Sequence, residues 1–288
     1  MIMKIRRVVS VYFSPCGHTR QAVCLPAQEA GILLGVPVEE APLTLPQNRM
    51  EEKHFSGDDL VFVGTPTYAG RVPNKIAPEL DRLLHGTATP VVPVVTFGNR
   101  NYDNSLAELT AALVKNGFCP VGAAAFCMPH VFSDTLGAEH PDACDREMMN
   151  KLARAAADAA SRLEESGSEY AALRVPGNPD APYYTPLGAD GQPAKFLKAH
   201  PLLHGDLCTQ CGTCAEVCPM GSVSREDPSV MTGICVKCQA CIRSCPARAR
   251  YFADPAFLSH VEMLERIYAR PAVSEIFLLR NTGSEKGV

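Results

Sequence analysis

Eight of the thirteen cysteines fall between Cys208 and Cys245, and they fall in a pattern. Cys208, Cys211, Cys214 and Cys218 precede Pro219, and Cys235, Cys238, Cys241 and Cys245 precede Pro246. Each run reads C-x-x-C-x-x-C-x-x-x-C-P, and each cysteine of the second run stands 27 positions after its counterpart in the first. The repeat is internal and has two copies. Three thiolates on a tight loop can each take one iron corner of a cubane. The fourth, beside the proline, points away and completes the other cluster. On that rule Cys208, Cys211, Cys214 and Cys245 hold one [4Fe-4S] cluster, and Cys235, Cys238, Cys241 and Cys218 hold a second. Structural zinc is the competing reading. It pairs C-x-x-C knuckles across a longer gap and needs neither a third cysteine nor a proline in each run.

With both motifs complete, residues 201–250 resemble the bacterial-type two-cluster ferredoxins. A second group of candidates lies in three loops of the first half. These are Ser14-Pro15-Cys16-Gly17-His18-Thr19-Arg20, Thr65-Pro66-Thr67-Tyr68-Ala69-Gly70-Arg71-Val72-Pro73 and Thr96-Phe97-Gly98-Asn99-Arg100-Asn101-Tyr102-Asp103. Small and hydroxyl residues at a helix start expose backbone N–H groups that can cradle a phosphate.

Those loops need elements to hold them. Ile5–Phe13 is a β-branched run, Leu60–Gly64 and Pro90–Phe97 are short continuous apolar runs, Phe118–Phe126 is another, and a weaker strand lies near Val36–Ala41. Between them, helical stretches are expected over Thr19–Leu34, Asn74–His85, Ser105–Asn116 and Asp145–Glu165. Strands alternating with helices argue for a doubly wound parallel sheet, with ligands at the carboxyl ends of its strands. The three loops occupy those ends.

Over about residues 1–165 the chain therefore resembles the flavodoxin family. The resemblance implies an α/β flavodoxin-like five-stranded sheet of order 2-1-3-4-5 that binds FMN. Ser14, Cys16, Gly17, His18 and Thr19 would hold the phosphate. Thr67, Tyr68, Ala69 and Gly70 on one loop, and Gly98, Asn99, Arg100 and Tyr102 on the other, would bracket the ring. Tyr68 and Tyr102 are the aromatic candidates, since the chain has no Trp. Family phosphate loops commonly carry Ser or Thr where Cys16 stands and a small polar residue at His18. Cys16 forgoes a hydroxyl donor, although the backbone N–H groups remain. The glycines include no G-x-G pair, so a dinucleotide-binding fingerprint has no support.

The domain division follows: 1–165 flavodoxin-like, 166–200 a proline-rich connector, 201–250 a small two-cluster ferredoxin-like domain, and 251–288 a C-terminal helix and tail. The connector carries Tyr170, Tyr183, Tyr184 and Phe196, which a solvated linker does not need, so it is expected to pack along a surface and fix the domains. Asp254-Pro255 supplies an N-cap and an N1 proline for a helix to about Ala269, with Phe257, Leu258, Val261, Leu264 and Ile267 as its apolar stripe. The polar end, Asn281–Val288, is expected to fray.

Other residues carry weaker signals. Cys16 at a helix start favours a thiolate, which a bound phosphate would oppose. Cys24, Cys119, Cys127 and Cys144 adjoin apolar stretches and read as buried small hydrophobes. His130, after the fifth strand, is the best candidate to face a substrate, although a structural histidine is the favoured reading. Arg71 and Arg100 lie on the ring loops, to recruit an anion or to sit as solvated rim charges.

The whole chain sets outer bounds. It has 288 residues, a formal charge of −4 and 46% hydrophobic residues, which fits two globular domains and excludes a basic nucleic-acid binder. There is no run of about 18 apolar residues for a membrane span and no cleavage site after the first strand, so a cytoplasmic protein is expected. The combination looks like the flavodoxin–ferredoxin fusion proteins of anaerobic prokaryotes. That implies an iron–sulfur flavoprotein moving electrons between two [4Fe-4S] clusters and FMN, linking one-electron partners to a flavin. The alternative is an FMN-dependent reductase of a small organic acceptor fed through the clusters, with residues 128–144 long enough to form a lid. Partners are then a redox protein (a ferredoxin or an oxidoreductase) or a small-molecule acceptor, and a homodimer is left open.

Overall fold

A computed structural model describes residues 5–166 and 173–279. Tyr170 and the tail from Asn281 lie outside the described residues. Five parallel strands form the body of a seven-stranded sheet: β1 (Arg7–Tyr12), β2 (Val38–Pro42), β3 (Asp59–Pro66), β4 (Thr89–Phe97), which also pairs in parallel with the short strand Phe118–Pro120, and β5 (Gly122–Cys127). Their spatial order is β2-β1-β3-β4-β5, with an added edge strand, β6 (Glu275–Leu278), antiparallel to β5. The order within the parallel part is that of the flavodoxin-like fold, whose ligand crevice lies where the winding reverses, between β1 and β3.

Alternate residues of each central strand serve opposite cores, as the period of two requires. Leu60 and Phe62 face the helices α1 (His18–Leu34) and α4 (Ala143–Ser166). Val61 and Val63 face α2 (Ala77–Leu83) and α3 (Ser105–Lys115). With both faces covered, the strands read as continuous apolar runs. The expected strand Phe118–Phe126 is split into Phe118–Pro120 and β5, and the expected helix Asn74–His85 is shorter, giving way to a strand at Leu84–Gly86.

The cysteine-rich part is small. Leu202–Leu203 pairs antiparallel with Arg250–Tyr251, and one short helix follows each motif start, Thr213–Glu216 and Ala240–Arg243. The connector lies against the α/β part: Tyr184 N–H donates to the Ala69 carbonyl at 2.8 Å, and the Tyr183 hydroxyl donates to that of Val72 at 2.9 Å. Helix α5 (Pro255–Ile267) starts where Asp254 accepts the Phe257 N–H at 2.9 Å. Its buried face is Phe257, His260, Met263 and Leu264, while Leu258 and Ile267 of the expected stripe are exposed. Among the described residues no helix is long and apolar enough to cross a membrane.

Candidate cofactor sites

The loop from β1 into α1 turns at Gly17, whose φ of +89° is left-handed, a conformation that glycine adopts without penalty. Around it, the N–H groups of Cys16, His18 and Thr19 donate to no acceptor among the described residues, whereas that of Arg20 is taken by Ser14 Oγ at 2.9 Å. The first turn of α1 holds no acidic residue. A helix N-terminus with free N–H groups and no competing carboxylate is an anion cradle. Thr19 is buried, its Oγ1 lying 2.7 Å from that of Thr96.

Two further loops converge on the same cavity. Tyr68 and Arg71 exchange backbone hydrogen bonds of 2.8 and 3.1 Å around Ala69 and Gly70, both at positive φ, which makes a type I′ turn. Gly98 ends β4 against His130: a Cβ there would lie 2.4 Å from the His130 ring, so only glycine admits this approach. The Asn104 N–H donates to the Gly70 carbonyl at 3.0 Å and ties the two loops together.

The cavity contains about 1130 Å³ of unfilled space, counting its open mouth. Ser14, Cys16, His18 and Thr19, then Thr67, Tyr68, Ala69 and Gly70, then Gly98 and Arg100 all line it. Gly17, Asn99 and Tyr102 do not. The Tyr102 ring packs on Phe97, and its hydroxyl donates to the Glu275 carboxylate. Asn99 Nδ2 donates to the carbonyls of Tyr268 and Arg270 at 2.5 and 2.9 Å, while its Oδ1 accepts from Ala272 N–H at 2.8 Å. Both side chains anchor the C-terminal segment. Of the two aromatic candidates, Tyr68 is the one at the cavity, and burial holds its phenol well above the usual tyrosine value.

The far wall belongs to the cysteine-rich part, where Val236, Lys237 and Cys238 line the same space. Cys16 Sγ–H donates to the Cys238 carbonyl at 3.1 Å, and burial pushes this thiol up to about 11, so it is a neutral thiol and not a thiolate. Tyr184, Pro186 and Phe196 of the connector, with His260 and Leu264 of α5, complete the enclosure. His130 also lines it; burial lowers its imidazole to about 3. His18 is lowered too, burial again being the main cause. Arg71 is turned away and buried, pairing with Glu108 at 2.7 Å, so it is not a rim charge. Arg100 lines the cavity with its guanidinium 4.2 Å from the Tyr184 ring centroid. Cys24 and Cys127 are buried, but Cys119 is half-buried and Cys144 is exposed, against the expectation.

The two cysteine motifs repeat in backbone geometry as well as in spacing. Positive φ recurs at Gln210 and Lys237, at Gly212 and Gln239, and at Gly221 and Arg248. In each copy the first cysteine accepts an N–H two residues on, Gln210 to Cys208 and Lys237 to Cys235, both at 3.4 Å. The fourth accepts one four residues on, Ser222 to Cys218 and Ala249 to Cys245, both at 3.3 Å. N–H groups aimed at sulfur are what a thiolate-held cluster requires, since they stabilise its negative charge. Cys208, Cys211, Cys214 and Cys245 surround one small cavity. Cys241 lies within electrostatic range of Cys235, Cys218 and Cys214, and Cys238 within that of Cys16, Cys241 and Cys235.

Sequence reasoning missed the roles of Lys237, His260 and Phe196 as cavity walls. His260 stands four residues before Leu264 on an apolar face, a spacing that could have marked it.

Residues 203–224 match the family described as a 4Fe-4S binding domain. No curated protein sequence matches the chain. Among solved structures, an NADH:FMN oxidoreductase in its apo form is 15% identical, covering 56% of this chain and 91% of its own, with a TM-score of 0.41. An archaeal flavodoxin is 11% identical, covering 54% and 98% at a TM-score of 0.40. An oxidised flavodoxin of Bacillus cereus is 16% identical, covering 53% and 98% at 0.39. By its own strand order and by the family match at 203–224, the chain joins a flavodoxin-like α/β sheet to a ferredoxin-type 4Fe-4S segment.

Proposed function

We propose that the chain is an iron–sulfur flavoprotein in which two [4Fe-4S] clusters and FMN exchange electrons, so that one-electron partners are linked to a flavin. The observation that carries this reading is the shared cavity, with the anion cradle and ring loops on one wall and Val236–Cys238 on the other. Bound there, FMN supplies one- and two-electron chemistry, while clusters move single electrons. The free N–H groups of Cys16, His18 and Thr19 suit the single phosphate of FMN. The cluster held by Cys235, Cys238, Cys241 and Cys218 is the inner one, because Cys238 is a cavity wall. The cluster held by Cys208, Cys211, Cys214 and Cys245 is the outer one, with Cys211 exposed to partners.

A second reading, reduction of a small organic acceptor, is favoured by the enclosure itself. A carrier exposes its flavin edge, whereas Tyr184, Phe196, His260 and Leu264 add further walls to this cavity. The test is anaerobic reconstitution with iron, sulfide and FMN, followed by rapid mixing. About eight irons and one flavin per chain are expected, with flavin bleaching by a reduced ferredoxin and none by NADH. Four irons, or no retained flavin, would overturn the proposal; bleaching by NADH would put the reductase reading first.

A further inference from the structure

Two imidazoles reach the cavity from different elements, His130 from the loop after β5 and His260 from α5, and their hydrogen bonds fix opposite tautomers. His130 Nδ1 accepts the Phe132 N–H at 3.1 Å. An amide N–H can only donate, so this nitrogen holds a lone pair and the ring proton sits on Nε2. His260 Nδ1 lies 2.7 Å from the Leu187 carbonyl oxygen, which can only accept, so here Nδ1 carries the proton and Nε2 the lone pair. Among the described residues neither Nε2 has a hydrogen-bond partner.

Both imidazoles are lowered from their ordinary value, which favours the neutral ring at pH 7. Burial is the main cause in each, and Arg100 opposes a positive charge on either. The two lie close enough for His260 to depress the protonation of His130. Aromatic rings pack on both: Phe132 stacks edge-on to His130 with centroids 5.1 Å apart, and Phe196 lies 5.3 Å from His260. Both rings line the cavity space rather than being sealed in the core, so a ligand that expels water from there must match one donor and one acceptor or leave them unpaired at a cost.

We propose that His130 and His260 form a neutral donor–acceptor pair that reads the amide-type edge of a planar ligand. His130 Nε2–H donates to a carbonyl oxygen, and His260 Nε2 accepts from the neighbouring N–H. The pyrimidine ring of a flavin carries such an edge, and so does the carboxamide of a second ligand. The contact between His130 and Gly98 puts the pair beside the ring loops. The inference rests on the reading of this cavity as a flavin site.

The experiment compares FMN with 3-methyl-FMN, which lacks the N–H, by fluorescence titration of the cluster-loaded wild type and of His260→Ala, whose smaller side chain leaves room for the methyl group. If the edge is the flavin's, the wild type prefers FMN by about tenfold and the variant by less than about twofold. If it is a second ligand's, flavin discrimination is absent, but benzamide shifts the bound-flavin spectrum where methyl benzoate does not, and His260→Ala abolishes the shift. Discrimination in neither arm overturns the pair. Imidazole 15N shifts of the oxidised, flavin-free wild type read the tautomers directly. Nε2–H on His130 and Nδ1–H on His260 are expected at pH 7, and the reverse in either ring overturns the proposal. Failure of FMN to bind at all would instead count against the flavin reading, and the 15N result would still decide the pair.

Discussion

Cys16 shows how a side-chain type can be explained by a partner far away in sequence. A serine or threonine there would offer a hydroxyl to a phosphate. The thiol instead donates to the carbonyl of Cys238, 222 positions on, and so joins the anion cradle to the second cysteine motif. His130 is a second case. Its neighbour Gly98 has no Cβ to hold it off, and Arg243 grips the backbone carbonyls of His130, Val131 and Ser133 at 3.0–3.3 Å. His130 also sets a pH dependence. Its folded value of about 3 lies below the ordinary 6.5, so between those limits the unfolded chain binds the extra proton. Stability is then fully present above about pH 6.5 and falls as the pH drops toward 3, by at most about 1.4 kcal/mol per pH unit from this group. The expected outcome is that the Tm gap between wild type and His130→Phe, measured at pH 7.5 and 5.5, shifts toward the variant at the lower pH. An unchanged gap would mean that His130 titrates in the fold as it does in the unfolded chain.

At the scale of elements, β6 matters most to the site. It adds to the sheet edge with Glu275 opposite Ala125 and Leu278 opposite Gly122, and it brings Glu275 to the Tyr102 hydroxyl. The segment before it is held by the three hydrogen bonds of Asn99. The ring loop is therefore braced from outside the cavity, by residues that follow the clusters in sequence. Asn99→Ala is expected to destabilise the fold by about 2 kcal/mol, through backbone groups left unpaired, and to weaken FMN binding without changing the iron content. Thermal unfolding, flavin titration and iron analysis check the three parts, and unchanged flavin affinity would show that the loop holds its shape unaided. The sequence did not reveal β6, because four residues are too few for an alternation to register and their partner strand lies about 150 positions upstream. The inner parallel strands β1, β3, β4 and β5 were legible for the opposite reason: burial on both faces makes them largely apolar runs, whereas β2, at the edge with Glu39 and Glu40 exposed, gave the weaker signal. The buried face of α5 was misread at Leu258 and Ile267, because an apolar stripe shows only which residues suit a core and not where the neighbouring connector lies.

Across the whole molecule, the two cysteine sets are inequivalent despite their near-identical backbone. Repetition in the sequence marked the two cysteine runs but could not say which one faces the α/β part. That is settled by contacts between distant segments. Arg49 of the α/β part donates to the Pro219 carbonyl at 2.7 Å, Arg243 holds the loop after β5, and Cys238 is both a cavity wall and the acceptor for Cys16. Cys211, its counterpart in the first motif, is exposed and lines only the small cavity of its own set. The same substitution should therefore act differently at the two places. Cys211→Ala is expected to lose the outer cluster, to leave FMN affinity within about twofold of wild type, and to slow flavin reduction by a reduced ferredoxin. Cys238→Ala is expected to lose the inner cluster and to weaken FMN binding by about tenfold, since the carbonyl that holds Cys16 shifts with the loop that loses its metal. Iron analysis, flavin titration and rapid mixing of both variants test the assignment. Equal flavin affinity in the two would mean that the cavity is built by the α/β part alone, and the inner cluster would lose its claim to be the flavin's neighbour.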